Sequence, residues 1–170
     1  LIYFYELALS LINKSGVNMF ITQNSWLDTD FGHKFQTYLL NKSCPCLIID
    51  SDYKQFKENA NINTIITLIK DETFKCDTLD FIRMHDSFDN ISFSLYNLQN
   101  CNNKFYTLKR YNKKDKILRQ YKWGLIYNAP EFFLRIINDL NLKGKKCSEI
   151  VEANVTFGQG LNLTKDYIYD

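Results

Sequence analysis

Proline, glycine and histidine are scarce in this sequence, and long apolar runs are absent. Of the 170 residues, 2 are proline, 6 are glycine and 2 are histidine, whereas 45% are apolar. That much apolar side chain can form a core, which excludes an intrinsically disordered chain. No stretch approaches the ~20 apolar residues of a membrane helix. The opening Leu1 to Ile12 contains Glu6 and lacks the basic start of a secretory signal, so we expect no membrane partner.

The length is that of one ordinary domain or of parts of two. The first residue is Leu1 rather than methionine, and helix-like sequence follows at once. We therefore expect the chain to be a piece of a longer protein.

Cysteine is present in an odd number, at positions 44, 46, 76, 101 and 147. The run Cys44-Pro45-Cys46 lacks the Cys-x-x-Cys spacing of a redox pair or a zinc site. We therefore expect reduced thiols in a cytoplasmic protein and no metal ligand among them.

Charge is distributed unevenly along the chain. Residues 1–103 hold 8 Lys/Arg and 12 Asp/Glu, a net charge of −4, whereas residues 104–170 hold 13 and 7, a net charge of +6. This polarity indicates a polyanionic partner for the second half of the chain.

A basic run with interleaved aromatic residues lies between positions 104 and 122. Such a run can follow a phosphate backbone, positioning DNA without reading its sequence. The alternative is a solvated helix face in a lysine-rich protein, and the sequence favours neither. The candidate DNA contacts in this run are Lys109, Arg110, Lys113, Lys114 and Arg119.

Hydrophobic spacing predicts the first elements of the chain. Apolar residues at helical intervals predict a helix over Leu1 to Ile12, after which Ser15-Gly16 can end it in the left-handed region. The run Val17 to Ile21 does not alternate cleanly, which predicts a strand covered on both faces. In the polar cluster that follows, Ser25 or one of the next two aspartates can cap a second helix.

The rest of the pattern is typical of an α/β sheet. The second helix carries Phe31, Phe35, Tyr38 and Leu39 on one face. Strands follow at Cys46 to Ile49 and at Ile62 to Ile69, where Ile and Thr are frequent. The order helix, strand, helix, strand, strand predicts the second half of an α/β sheet that ends in an antiparallel hairpin. Residues 79–84 and 91–96 are further candidate strands, and Glu131 to Leu140 is a candidate helix.

Four pieces of sequence, in this order, resemble the N6-adenine DNA methyltransferases of restriction–modification systems, in their TaqI-like or type IIG-like branch. The pieces are Tyr5 to Ile12, Gly16 to Leu27, Phe31-Gly32 and Leu39-Leu40. Asp52 to Ile66 is similar to the segment that precedes the last strand of that family. Trp123, Ala129 to Phe133 and Gly158 to Asn162 resemble its passage into the target recognition domain, although Gln159 replaces the family's usual threonine.

The resemblance implies the C-terminal half of a Rossmann-like class I methyltransferase sheet over residues 1–78. A mixed connector with the basic stretch would follow over 79–147, and the start of a target recognition domain over 148–170. The strand ending at Thr22, Asn24 and Ser25 would then face the cofactor and substrate cleft, since ligands of open α/β sheets bind at the carboxyl ends of strands.

The resemblance also assigns roles to individual side chains. Phe56 would stack on an adenine flipped out of the duplex, with Tyr53 as the fallback; an ordinary core role is the alternative for Phe56. Lys57, Gln159 and Asn162 would contact DNA, although a plain turn is the alternative for the last two.

Two parts of this chemistry are missing from the sequence. The family holds S-adenosylmethionine on a glycine-rich loop and the adenine amino group on an Asn/Asp-Pro-Pro-Tyr/Phe motif. Here the two prolines, Pro45 and Pro130, are far apart, and the close glycines Gly158 and Gly160 follow no strand–turn–helix pattern. The resemblance therefore implies that the parent protein binds S-adenosylmethionine and that this chain alone binds no cofactor and is inactive.

The expected partners are double-stranded DNA and the missing catalytic half. Two alternatives are a non-catalytic DNA-binding or specificity module and a methyltransferase of the same superfamily that acts on protein or RNA. The long stretch after residue 70 argues against the last, because simple members end soon after the final strand.

Overall fold

The computed structural model describes residues 1–52, 62–86 and 105–143. It forms two compact units, Leu1–Ala129 and Pro130–Asp170. The elements of the first unit are α1 (Ile2–Leu11), β1 (Val17–Gln23), a 3-10 turn (Asn24–Leu27), α2 (Asp30–Lys42), β2 (Cys44–Ser51), β3 (Thr64–Lys70), β4 (Thr78–Met84), β5 (Tyr106–Asn112), α3 (Ile117–Gln120) and α4 (Trp123–Asn128). The second unit begins with α5 (Glu131–Lys143).

The five strands form one mixed sheet in the order β1-β3-β2-β4-β5. Strands β1, β2 and β4 run in the same direction, because β3 is antiparallel to both β1 and β2, and β4 is parallel to β2. Strand β5 is antiparallel to β4 at the far edge. The carboxyl ends of β1, β2 and β4 therefore share one edge of the sheet.

The order of elements predicted for the first seventy residues is confirmed, including the antiparallel pairing of β2 with β3. The strand predicted at 79–84 is β4, and the helix predicted at Glu131 to Leu140 is α5. The candidate strand at 91–96 lies outside the described residues. Strand β5 was not predicted, because its run Tyr-Thr-Leu-Lys-Arg-Tyr-Asn has one aliphatic residue and looked like a charged helix face.

One face of the sheet is covered by an aromatic core centred on Trp26. The Trp26 ring lies 5.2 Å from Phe35, 5.9 Å from Trp123 and 6.4 Å from Tyr5, measured between ring centroids, in edge-on contacts. Such pairs stabilise by about 0.5–1.5 kcal/mol beyond the area that they bury. The Asn-Ser-Trp-Leu segment therefore turns sharply after β1 in order to place Trp26 and Leu27 in this core.

The opposite face carries a second, smaller apolar cluster on neighbouring strands. It consists of Leu47 and Ile49 of β2, Ile82 and Met84 of β4, and Leu108 of β5. Because side chains alternate across a strand, the two clusters lie on opposite sides of the same sheet.

The buried side chain of Gln36 connects three segments of the first unit. Its Nε2 donates to the carbonyl oxygens of Trp26 (3.0 Å) and Leu27 (3.1 Å), and its Oε1 accepts from the backbone N–H of Trp123 (3.1 Å). Gly32, one turn earlier in α2, permits the close packing, since a Cβ there would lie 1.7 Å from the Trp26 carbonyl oxygen. The turn, α2 and α4 are thus joined by one amide.

Two predicted helix boundaries were wrong. Ser25 and the two aspartates do not cap α2; Thr29 does, through its Oγ1, which accepts from the Gly32 N–H at 3.3 Å. The turn at Asn24–Leu27 separates Ser25 from the start of α2. Gly16 does not adopt a left-handed conformation, because α1 already ends at Leu11, where the chain becomes extended at Ile12.

The prediction that β1 is covered on both faces was also wrong. Val17, Met19 and Ile21 are 52%, 58% and 58% exposed, whereas Phe20, on the other face, packs against the aromatic core. Strand β1 lies at the edge of the sheet and pairs with β3 alone within the described part of the chain. Burial in this unit therefore does not explain why Val17, Met19 and Ile21 are apolar.

We expect Gln36→Met to lower the free energy of unfolding by about 3 kcal/mol, because it leaves buried carbonyl and N–H groups of three residues without partners. The measurement is urea unfolding followed by tryptophan fluorescence. Gln120→Met, at an exposed position of α3, is the matched control and should change the value by less than about 0.5 kcal/mol. Equal effects of the two variants would contradict the role given to Gln36.

Candidate functional site

Polar residues gather at the shared carboxyl edge of β1, β2 and β4. Asn24 follows the end of β1, Asp52 follows β2 and His85 follows β4. Ser51 and Met84 are register partners, so Asp52 and His85 emerge side by side. Because open α/β sheets bind ligands at this edge, it is the candidate functional site of the first unit.

The three residues predicted to line the cleft lie at the end of β1 or just beyond it. The hydroxyl of Thr22 contacts the Trp26 indole N–H at 3.4 Å and the Tyr5 hydroxyl at 3.5 Å, which ties this residue to the aromatic core. The N–H of Asn24 donates to the Asn63 carbonyl at 3.1 Å, and its side chain is half-buried. Ser25 is exposed.

Asp52 is the centre of a charged network at this edge. Its Oδ1 accepts from Arg83 Nε at 2.6 Å, and its Oδ2 lies 2.7 Å from His85 Nδ1. Burial acts most strongly on the pKa of Asp52 and raises it, but the hydrogen bonds and charges of His85 and Arg83 together hold it below the ordinary value. Asp52 is therefore an ionised carboxylate held by two cationic or hydrogen-bonding partners.

His85 is oriented from both ring nitrogens. Since an ionised carboxylate only accepts, Nδ1 carries a proton and donates to Asp52. The other nitrogen, Nε2, lies 2.6 Å from the Thr107 hydroxyl of β5, which can donate or accept. From the sequence alone His85 was interpreted as a surface or structural histidine, although one signal was available: Asp52 and His85 each come directly after a strand.

Asp50 and Tyr127 form a second, more buried pair beside this network. Burial raises the pKa of the Asp50 carboxyl, opposed by the hydrogen bond from the Ser51 N–H at 2.8 Å. The pKa of Tyr127 is raised by burial and then by the negative charge of Asp50. The Tyr127 hydroxyl is buried and has no hydrogen-bond partner among the described residues.

Three of the predicted DNA contacts have partners inside the protein. Lys109 Nζ donates to the carbonyl oxygens of Ile126, Tyr127 and Ala129 at 3.2, 2.8 and 2.5 Å, which satisfies the end of α4. Arg110 holds Asp80 through two bonds of 2.8 and 2.7 Å.

The third of these residues, Lys113, lies with its Nζ 2.8 Å from Cys44 Sγ, at the opposite end of β2 from Asp52. Lys109, Arg110 and Lys113 therefore already use their charged groups inside the protein. Their contact with DNA stays a prediction.

The other predicted DNA contacts are either exposed or outside the described residues. Lys114 and Arg119 are exposed, and Arg119 donates to the Asn41 side chain at 2.8 Å. Five further candidates lie outside the described residues, so their roles stay predictions: Tyr53, Phe56, Lys57, Gln159 and Asn162.

Residues 1–56 match the family model described as the Eco57I restriction-modification methylase. This segment contains α1, β1, α2 and β2 and includes Asp52. No curated protein matches the chain. The described part of the chain contains no helix with the length and apolar composition of a membrane span.

Three solved structures of restriction–modification proteins are similar to this chain, and the first of them shares its fold. The type IIG restriction endonuclease BpuSI is similar with a TM-score of 0.55 and 13% identity, over 84% of this chain and 17% of that one. A modification subunit of a putative type I restriction enzyme from Vibrio vulnificus YJ016 has a TM-score of 0.47 and 11% identity, and the match covers 64% of this chain and 27% of that one. A protein of a type I R-M system has a TM-score of 0.48 and 9% identity, and the match covers 81% of this chain and 34% of that one. The chain thus spans about a sixth of the length of BpuSI.

We expect Asp52→Asn and Asp50→Asn to change stability in opposite directions at pH 7. Asp52 has a lowered pKa in the folded protein, so its charge stabilises the fold, by at most about 1 kcal/mol for this partly exposed group. That contribution is full above the ordinary pKa of about 3.9 and is lost as the pH falls through the lower folded-state value. Asp52→Asn should therefore be destabilising at pH 7 and neutral in acid.

Asp50 has a raised pKa, so its ionised form opposes folding above that value. Asp50→Asn should therefore stabilise at pH 7, with a gain that shrinks as the pH falls and the wild-type carboxyl takes up a proton. Urea unfolding over a series of pH values measures both variants, and shifts of the same sign would refute the assignment.

Proposed function

We propose that this chain is the downstream part of the methyltransferase domain of a site-specific DNA adenine-N6 methyltransferase from a restriction–modification system. The observation that carries the proposal is the match of residues 1–56 to the Eco57I restriction-modification methylase model. The fold shared with BpuSI supports it over a larger part of the chain. The reaction would transfer a methyl group from S-adenosylmethionine to the exocyclic amino group of adenine.

In this proposal the carboxyl edge of the sheet faces the flipped adenine. Tyr53 follows Asp52 directly in sequence, and Phe56 comes three residues later. An aromatic side chain there would stack on the base, an interaction of about 1–3 kcal/mol. Arg83 holds Asp52, the residue that precedes this segment, at the carboxyl edge.

The methyl donor and the Asn-Pro-Pro-Tyr motif would come from the missing catalytic half. Its docking site would be the β1 edge surface, which we define as the exposed apolar side chains on both sides of that edge. They are Val17, Met19 and Ile21 on one face of the sheet, and Tyr3, Phe4, Leu7 and Leu11 of α1, which packs on the other face. Tyr3 is 83% exposed, which is unusual for an aromatic residue in a helix that packs on a core. An added strand would also satisfy the open edge of β1.

A second candidate function is a non-catalytic DNA-binding or specificity module. The observation that favours it is the exposed basic cluster Lys114, Lys116 and Arg119, which follows β5 and extends into α3. The chain alone would behave in this way even if the parent protein is an enzyme. We propose that it binds double-stranded DNA weakly and does not bind S-adenosylmethionine.

Complementation tests the enzymatic proposal. The upstream segment of the reading frame and this chain are purified separately, and transfer of a tritiated methyl group from S-adenosylmethionine to adenine in DNA is measured. We expect no transfer from either part and transfer from the mixture. No transfer from the mixture, given that both parts are folded and associate, would overturn the enzymatic function.

A single variant in the same assay tests the β1 edge surface. Met19→Lys should lower methyl transfer by the mixture about tenfold or more, because a charge would be buried at the contact. Phe74→Lys, which alters an exposed apolar residue between β3 and β4, is the matched control and should leave transfer unchanged. Full activity of Met19→Lys would reject the docking surface and leave the enzymatic function standing.

Charge reversal tests DNA contact by the basic cluster. Lys114→Glu with Arg119→Glu should weaken binding to double-stranded DNA and lower the slope of log affinity against log salt by about 2, since two phosphate contacts are lost. Lys14→Glu with Lys75→Glu changes net charge equally at exposed positions elsewhere and should keep the slope. Fluorescence anisotropy at several salt concentrations distinguishes local contact from a net-charge effect.

A further inference from the structure

Three cysteine side chains meet at the end of the sheet opposite the candidate site. The Sγ atoms of Cys44, Cys46 and Cys76 lie within 4.8 Å of one another. Cys44 is buried, and the other two are half-buried. This cluster was invisible in the sequence, because Cys76 is thirty residues beyond Cys46.

The topology of the sheet explains why the three cysteine side chains lie close together. Cys44 begins β2, and Cys76 precedes the first residue of β4 by two positions; the two strands are parallel neighbours, so their starts are adjacent. The pairing of β2 with β3 shifts between Pro45 and Leu47, which leaves Cys46 as an additional residue in a bulge. Bulges redirect side chains, and this one brings a second thiol of β2 to the cluster.

We infer that Cys44, Cys46 and Cys76 form a zinc site with three thiolate ligands and a fourth position open to water or an exogenous ligand. Thiolates are the soft ligands that zinc prefers, with Zn–S distances of about 2.3 Å. Tetrahedral zinc needs sulfur atoms about 3.8 Å apart, so the present separations require a contraction of only about 1 Å. Each thiol releases its proton to water when it binds the metal.

Lys113 supports the assignment. Its Nζ lies 2.8 Å from Cys44 Sγ, at the end of β5 that is adjacent to the start of β4. Zinc with three thiolates carries a net charge of −1, and a neighbouring ammonium group balances it. No other histidine, cysteine or carboxylate joins the three thiols within the part of the chain that the structure describes, which leaves the fourth position open.

The zinc site is independent of the proposed function. Strand β2 separates Cys44 from Asp52 by eight residues, about 25 Å of extended chain. The metal would therefore not take part in methyl transfer. It would join the starts of β2 and β4, which the Cys44 thiol already links by a hydrogen bond to the Cys76 carbonyl oxygen at 3.8 Å.

Cobalt substitution tests this inference. The chain with Cys101→Ser and Cys147→Ser retains only the three clustered thiols, and it is kept in a phosphine reductant throughout. Titration with Co²⁺ should give a thiolate-to-cobalt charge-transfer band that saturates at a single equivalent, and Zn²⁺ should abolish the band by displacement. Absence of the band in this folded variant would overturn the zinc site.

Further substitutions and a stability measurement separate the site from adventitious binding. Adding Cys76→Ser, at a half-buried position, should weaken Co²⁺ affinity at least tenfold while circular dichroism stays unchanged; unchanged affinity would reject the proposed ligand set. Zn²⁺ should raise the melting temperature of the three-thiol variant and not that of the variant lacking Cys76. Equal shifts in both would also count against the site.

Discussion

The buried amide of Gln36 is the interaction on which the first unit depends. It bonds two carbonyl groups of the turn after β1, ten and nine residues earlier in the chain, and the N–H that begins α4, 87 residues later, so three segments share one side chain. These bonds set the position of Trp26 and Trp123, whose rings meet at 5.9 Å. The carboxyl edge keeps its geometry because the turn that leaves β1 is held from inside the core.

Local pattern predicted the elements of this chain well, because hydrophobic period and turn residues are local properties. The order from α1 to β3 follows from runs such as Ile62 to Ile69, whose composition favours a strand on its own. Exposure was harder to predict. An edge strand that awaits a partner has the same apolar composition as a strand buried between neighbours, so Val17 to Ile21 was placed in the interior.

The candidate site was predictable only where sequence neighbours carry it. The polar residues after β1 were found because they follow an apolar run directly. The network of Asp52, Arg83 and His85 joins residues more than thirty positions apart, and no pattern in one sequence connects them. The basic run shows the same difficulty, since Lys109 and Arg110 use their charge inside the fold, and residue type does not distinguish such bonds from phosphate contacts.

The position of β3 has a consequence for how the chain acquires its structure. Strand β3 lies between β1 and β2 and supplies the backbone partners of both, yet it comes last of the three along the chain. During synthesis, β1 and β2 therefore leave the ribosome with no strand between them, and their pairing waits for residues 64–70. The segment that matches the methylase family ends before β3 begins, at residue 56. The segment recognised in sequence comparison thus ends inside the first unit, before the strand that pairs with both β1 and β2.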